Sequence, residues 1–278
     1  MGKTKLNSRS LPVAVLVAAV TAFQVPAGPV CDLAAVRVKL EAEEFRMALS
    51  GLEPCVTERE QCRFAGLAYL GLFQPDSAVH FLRKARKAGY MDDTVLIGLA
   101  QAMLWTKTEG NAGALLDKVK DKGSAPYFMA MASLHEDNRR FAKALEMYDK
   151  AIAIQSPPYI PMFHKAMVLS WMDRLDESIA LYTALMDSAG ASRGFRTKCK
   201  VQRAGVISWK KDLERAEREL REVIKQDPAN AEGLLALGEV LEWRGRFKEA
   251  KNAYRDLLLA DPGNQAAKQR LEKLLWVK

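Results

Sequence analysis

The chain is poor in residues that do chemistry. It has three histidines, His80, His135 and His164, and they stand far apart. Its four cysteines, Cys31, Cys55, Cys62 and Cys199, fall at spacings that do not repeat. A zinc site needs clustered nitrogen or sulfur ligands, so no metal is expected. There is no Gly-rich phosphate loop, no His-Glu-x-x-His and no Gly-x-Ser-x-Gly. Adjacent carboxylates such as Asp92-Asp93 and Glu43-Glu44 read as solvated groups at chain turns or on charged helix faces. His164 reads as a polar surface histidine. These absences disfavour an enzyme and imply no cofactor.

Charge of one sign is also missing as a block. The net charge is +8, and Lys3, Lys5 and Arg9 account for three of it. The remaining basic residues are interleaved with acids, as in Glu214-Arg215-Ala216-Glu217-Arg218-Glu219. That spacing makes a solvated, ion-paired helix face. With no basic run carrying interleaved aromatics, nucleic acid is not expected as a partner.

Long apolar runs are scarce, with one exception. Leu11 to Phe23 is an apolar stretch behind the positive leader of Lys3, Lys5 and Arg9. Val25-Pro26-Ala27 then offers small side chains where a signal peptidase reads, which gives residues 1–27 as a signal and a mature start at Gly28. Cleavage after Gly28 would put Pro29 directly behind the cut. Gly28-Pro29-Val30 is not a lipoprotein box for Cys31. The alternative is an uncleaved anchor over residues 11–30, about the length of a membrane span. Gln24, Pro26, Gly28 and Pro29 weaken its second half. Either way the body is expected to be exported, periplasmic or secreted, and the membrane is a partner only if the segment is uncleaved.

That compartment bears on the cysteines. Cys55 and Cys62 flank Thr57-x-x-Glu60, a capping-box pattern that should start a helix. A Cys55–Cys62 disulfide would staple that start in oxidising surroundings. Cys31 competes for either partner, and Cys199 has no obvious mate. The other reading is four buried or free thiols.

What the chain does have is a 34-residue rhythm. Asp227-Pro228 and Asp261-Pro262 end successive units, because proline cannot continue a helix. The unit from Ala231 to Asn264 carries Leu234-Leu235-Ala236-Leu237-Gly238, then Leu241, Gly245, Phe247, Ala250 and Tyr254. This resembles a tetratricopeptide repeat, an antiparallel helix pair with a Leu-Gly, Ala, aromatic and Pro signature. The resemblance implies an all-α, right-handed superhelical solenoid of antiparallel helix pairs, with about six repeats and a C-terminal capping helix.

Earlier units keep the packing places with less of the signature. Residues 197–230 hold Ala204, Leu213, Ala216 and Leu220. Residues 159–192 hold Ala166, Leu175, Ser178 and Tyr182, and residues 125–158 hold Ala132, Phe141, Ala144 and Tyr148. Two helices that cross closely need a small residue at the contact, and these places supply it. Arg193 to Arg196 exceed the period and read as a longer turn. Residues 59–124 form degenerate repeats, with helices expected near 94–106 and 112–120. Residues 28–58 hold a lone helix or decayed half-repeat over 33–52, and a linker. Residues 125–264 are the clear repeats, and 265–278 the capping helix.

First helices line the groove in the resembled family. Carried onto this chain, the groove residues are Trp105, Met129, Phe163, Met167, Trp171, Val201, Trp209, Leu235, Glu239 and Trp243. The lysine and asparagine of the family's C-terminal carboxylate clamp are absent from the matching places. What remains is an apolar lining with tryptophans at the helix ends. It suits an apolar or amphipathic segment of a protein in an envelope assembly. A carbohydrate-binding or polysaccharide-export module, with indoles stacking on sugars, is the alternative.

Overall fold

The computed structural model describes residues 32–41, 44–52, 59–72, 74–107 and 110–275. Every regular element among them is helical. The helices are α1 (Leu33–Glu41), α2 (Phe45–Leu52), α3 (Arg59–Gly71), α4 (Pro75–Lys87), α5 (Asp93–Thr106), α6 (Ala112–Leu116), α7 (Ala125–Asp137) and α8 (Phe141–Ile154). They continue as α9 (Tyr159–Trp171), α10 (Leu175–Asp187), α11 (Arg193–Trp209), α12 (Leu213–Gln226), α13 (Ala231–Trp243), α14 (Phe247–Ala260) and α15 (Gln265–Leu274). Each packs on its chain neighbours, and alternate helices also touch, as α3 with α5 and α11 with α13. This is a solenoid of antiparallel helix pairs with α15 as its terminal cap.

Close crossing of the two helices in a pair fixes the architecture. Ala132, Ala166, Ala204 on first helices and Ala144, Ala216, Ala250 on second helices are fully buried. At Gly238 the approach is tighter still: a Cβ there would stand 2.6 Å from Tyr254 Cζ. Gly66 repeats the arrangement, its Cβ position 2.5 Å from Leu82 Cγ. Where a polar residue takes the small place it is satisfied locally: the Ser178 hydroxyl donates to the Ala166 carbonyl at 2.7 Å. Large side chains then fill the spaces between pairs, and Tyr148, Tyr182, Tyr254, Leu116 and Leu220 are wholly buried.

The turn inside each pair is equally regular. Arg139, Asp173, Lys211 and Gly245 occupy one repeat place, and all have positive φ, 55°, 61°, 69° and 72°. The next N–H reaches back to close each helix: Arg140 to His135 O at 2.7 Å, Arg174 to Leu169 O at 2.9 Å, and Arg246 to Leu241 O at 2.9 Å. This left-handed closure suits glycine, which only Gly245 supplies. Between pairs, side chains cap the first helices. Asn230 accepts from Gly233 N at 2.8 Å and Asn264 from Ala267 N at 3.1 Å.

Several expectations need correction. Residues 33–52 form two helices, α1 and α2, in place of a lone one; Val36, Ala48 and Leu52 are buried together with Phe64 and Ala68 of α3. Residues 193–196 are no loop. They add one turn to the start of α11, because four residues nearly match the 3.6 of a helical turn and leave its faces in register. Ser192 caps that helix, accepting from Phe195 N at 3.1 Å. The helix expected over 112–120 stops at Leu116. Asp93 explains this, since its carboxylate accepts from Lys120 N at 2.9 Å and Asp121 N at 2.8 Å. Those backbone hydrogen bonds hold the Asp93 pKa below its ordinary value. Asp92, read as solvated, caps α5 by accepting from Thr94 N and Val95 N.

Four variants check this packing. Gly238→Ala should lose about 1–3 kcal/mol through overpacking against Tyr254. Gly205→Ala, with nothing within 4 Å of its Cβ position, should gain up to ~1 kcal/mol from helix propensity. Ser192→Ala should cost about 1 kcal/mol, reflecting the lost cap. Lys211→Gly should add roughly 0.5–1 kcal/mol by relieving the left-handed strain, after glycine's entropy is deducted. Urea unfolding of the four variants gives the signs directly.

Candidate partner-binding site

Three first helices end on tryptophan and a fourth, α5, has one a residue before its end; the packing that buries their neighbours leaves these indoles out. Trp105, Trp171, Trp209 and Trp243 are 38%, 46%, 46% and 49% exposed. The preceding or nearby apolar residues Leu104, Leu169, Ile207 and Leu241 are buried. Each indole therefore sits where a helix meets its turn, half against the protein and half in solvent. Trp171 shows what the inner half touches: its ring lies 6.0 Å from that of Phe141, the first residue of α8 in the preceding pair.

The other groove residues fall in different surroundings. Met129, Met167 and Leu235 are half-buried. Phe163 and Val201 are buried, in the core clusters of α9–α11 and of α11–α15. The extra turn of α11 explains Phe163, because it brings Phe195 to 5.8 Å from the Phe163 ring. Val201 lines a cleft of about 460 Å³ with Arg193, Thr197, Lys198, Asp227 and Glu232. Glu239 is taken up by Arg270 of α15 at 2.6 Å. Cys55 lies outside the described residues, so the Cys55–Cys62 pairing does too, as does the N-terminal leader. Cys199 is fully buried, and that burial pushes its thiol up to about 11.

His164 is the histidine misread as a surface group. Its ring stacks on Tyr148, centroids 5.9 Å apart. Burial, aided by Lys198, lowers its pKa to about 4, so the imidazole is neutral at ordinary pH. Among the described residues no group of His, Cys, Asp and Glu could hold a metal ion, and no helix is long and apolar enough to cross a membrane.

Ion pairs tie the turns beside the tryptophans to their neighbours. Lys107, after Trp105, pairs with Asp137, which stands at the tryptophan place of α7. Lys210, after Trp209, pairs with Asp176 of α10. Beyond Trp243 the linkage becomes a network. Glu217 on α12 receives Arg221 at 2.7 Å, Arg246 at 2.7 Å, and Arg244. Burial pushes the Glu217 pKa up, but the hydrogen bonds and charges of Arg221 and Arg246 outweigh it and leave it lowered. Two tyrosines hold the ends of first helices in a second way. Tyr148 donates to Glu136 Oε1 at 2.5 Å, and Tyr254 donates to Glu242.

One tetratricopeptide-repeat family model matches residues 210–274 and another matches 125–157. The chain carries tetratricopeptide repeats in those stretches. Its fold is similar to that in a crystal structure of the APC/C hetero-tetramer Cut9–Hcn1, with a TM-score of 0.63 and 12% identity over 86% of this chain and 48% of that one. The chain thus spans about half the length of that match. It is also similar to PilW, described as a widely conserved type IV pilus biogenesis factor, with a TM-score of 0.60 and 15% identity over 77% of this chain and 98% of that one. At such identities the likeness is one of fold. No curated protein matches the chain in sequence.

The Glu217 network has a pH signature. Its folded pKa is lowered, so its contribution is present above the unfolded value of about 4.3 and is lost as pH falls through the folded value. Glu217→Gln should lower stability at pH 7 by about 1–3 kcal/mol, the scale of charged hydrogen bonds. The variant should also lose less stability than the parent between pH 7 and pH 3. Urea midpoints of both proteins at the two pH values measure it.

Proposed function

We propose that this protein is an exported scaffold that holds an apolar or amphipathic segment of a partner protein along its tryptophan row, in the assembly of an envelope complex. The tetratricopeptide repeats support a protein–protein interaction scaffold. The carrying observation is the half-exposure of four indoles at one repeat place. An indole in that position offers large apolar area at little entropic cost. Tryptophan is also enriched among residues that dominate binding energy. The export reading draws on the leader of Lys3, Lys5 and Arg9 before Leu11 to Phe23. A type IV pilus biogenesis factor shares the fold, which shows that an envelope assembly can use it. A glycan stacked on the same indoles is the competing reading.

Paired titrations and melts test this. Trp171→Ala and Trp209→Ala should each weaken binding of an amphipathic 20-residue peptide by roughly 30-fold, the ~2 kcal/mol of a hot spot. Because half of each indole is already solvated, the stability cost should stay near 1 kcal/mol, well under the ~3–5 expected of a buried tryptophan. Competition by soluble oligosaccharides but not by peptide would replace the protein partner with a glycan. Equal loss of binding and of stability would make the indoles packing residues.

A further inference from the structure

The turn between α7 and α8 departs from its neighbours. Each of the other turns that carries cations commits at least one to a carboxylate, although Lys211 has no such pair among the described residues: Lys107 to Asp137, Arg174 to Glu177 at 2.6 Å, Lys210 to Asp176, and Arg246 to Glu217 at 2.7 Å. Arg139, Arg140 and Lys143 are exposed and make no ion pair among the described residues. Glu146 lies one turn further along α8 and pairs with none of them. Asp137, the nearest acid on α7, is already engaged by Lys107.

These three cations rim a shallow cleft of about 330 Å³ with Phe141, Ala142 and Met172. Phe141 and Met172 give it an apolar side, and Phe141 packs against the ring of the half-exposed Trp171. His135, at the end of α7, registers the uncompensated field. Burial chiefly lowers its pKa, and Lys143 and Arg140 lower it further against the opposing Glu146.

We propose that this cleft receives a carboxylate side chain of the bound segment, with an apolar residue beside it lying on Phe141 and Trp171. The proposal rests on the reading of the tryptophan row as a protein-binding edge and names what the partner brings: an acidic residue next to an apolar one. Charge complementarity selects this occupant, since a carboxylate supplies what the turn lacks. The site differs from the clamp places on the first-helix faces, where no lysine or asparagine stands. An anionic lipid surface would draw on cations spread along the whole edge. The other turns within pairs commit Lys107, Arg174, Lys210 and Arg246 to carboxylates, and among the described residues three unpaired cations gather at such a turn only here.

The test uses the full chain, three labelled 14-residue peptides and anionic vesicles. The peptides share their Leu and Phe positions and carry Asp, Asn or Lys between them. The vesicles contain phosphatidylglycerol. The Asp peptide should bind about tenfold more tightly than the Asn peptide, the scale of a few exposed charge contacts, and the preference should fade with added salt. The triple variant R139Q/R140Q/K143Q should bind both peptides equally, with an unchanged melting temperature. Arg174→Ser, which removes an ion-paired cation, should keep the preference. If Asp and Asn peptides bind the parent equally and Trp171→Ala weakens both, the cleft proposal falls while the protein-binding reading stands. Binding of vesicles but of no peptide, or of nothing, overturns both.

Discussion

The close crossing of two helices at a small residue governs this molecule. Gly238 lies against Tyr254 with no room for a side chain, and Ala132, Ala166 and Ala204 make the same approach in earlier pairs. Short crossing distances let one tyrosine or leucine fill the gap between consecutive pairs. They also force the turn inside each pair into a tight left-handed closure. Arg139, Asp173 and Lys211 accept that conformation although none is glycine. Residues of this kind hold such a φ only where the surrounding packing over-determines it.

The surface follows from that constraint. A first helix that must close at a fixed residue ends its apolar face there, so the next side chain emerges at the helix–turn junction. Tryptophan occupies that junction in four pairs and aspartate in one. Cations of the turns sit next to it. In most turns they bind carboxylates of adjoining helices and so stiffen the array. The α7–α8 turn keeps its cations free of such pairing, beside the Phe141–Trp171 contact. Under the proposed function, apolar area from the indoles and unmatched positive charge at one turn would let the surface discriminate between partner segments.

Much of the fold was legible in the sequence because its constraints are local and repeated. Leu237-Gly238 and Ala250 with Tyr254 mark one crossing, and the same spacing returns through Ala204, Ala166 and Ala132 without the full signature. The indole exposure was legible in the same way, from the place just past Leu241. The rest was hidden for definite reasons. Arg193 to Arg196 looked like surplus turn, yet four residues also make a helical turn, and only packing distinguishes the two. That added turn buries Phe163 under Phe195, a consequence no spacing argument contains. Asp93 and Glu217 act across about a repeat length, on Lys120 and on Arg244 and Arg246. Their partners cannot be picked out among many charged residues along a line. The α7–α8 cation trio was invisible because a line of sequence does not show that Glu146, one turn along α8, pairs with none of its members.

The proposed function depends on the packing holding the four indoles half-exposed at their helix ends. Iodide quenching of tryptophan fluorescence in the folded protein measures this most directly, using single-indole variants that keep Trp105, Trp171, Trp209 or Trp243. The account predicts a red-shifted emission and substantial quenching from each position, and protection of Trp171 when the Asp peptide is added. Blue-shifted emission with little quenching at those four positions would contradict it, because the tryptophans would then be core residues and the edge would present no apolar surface.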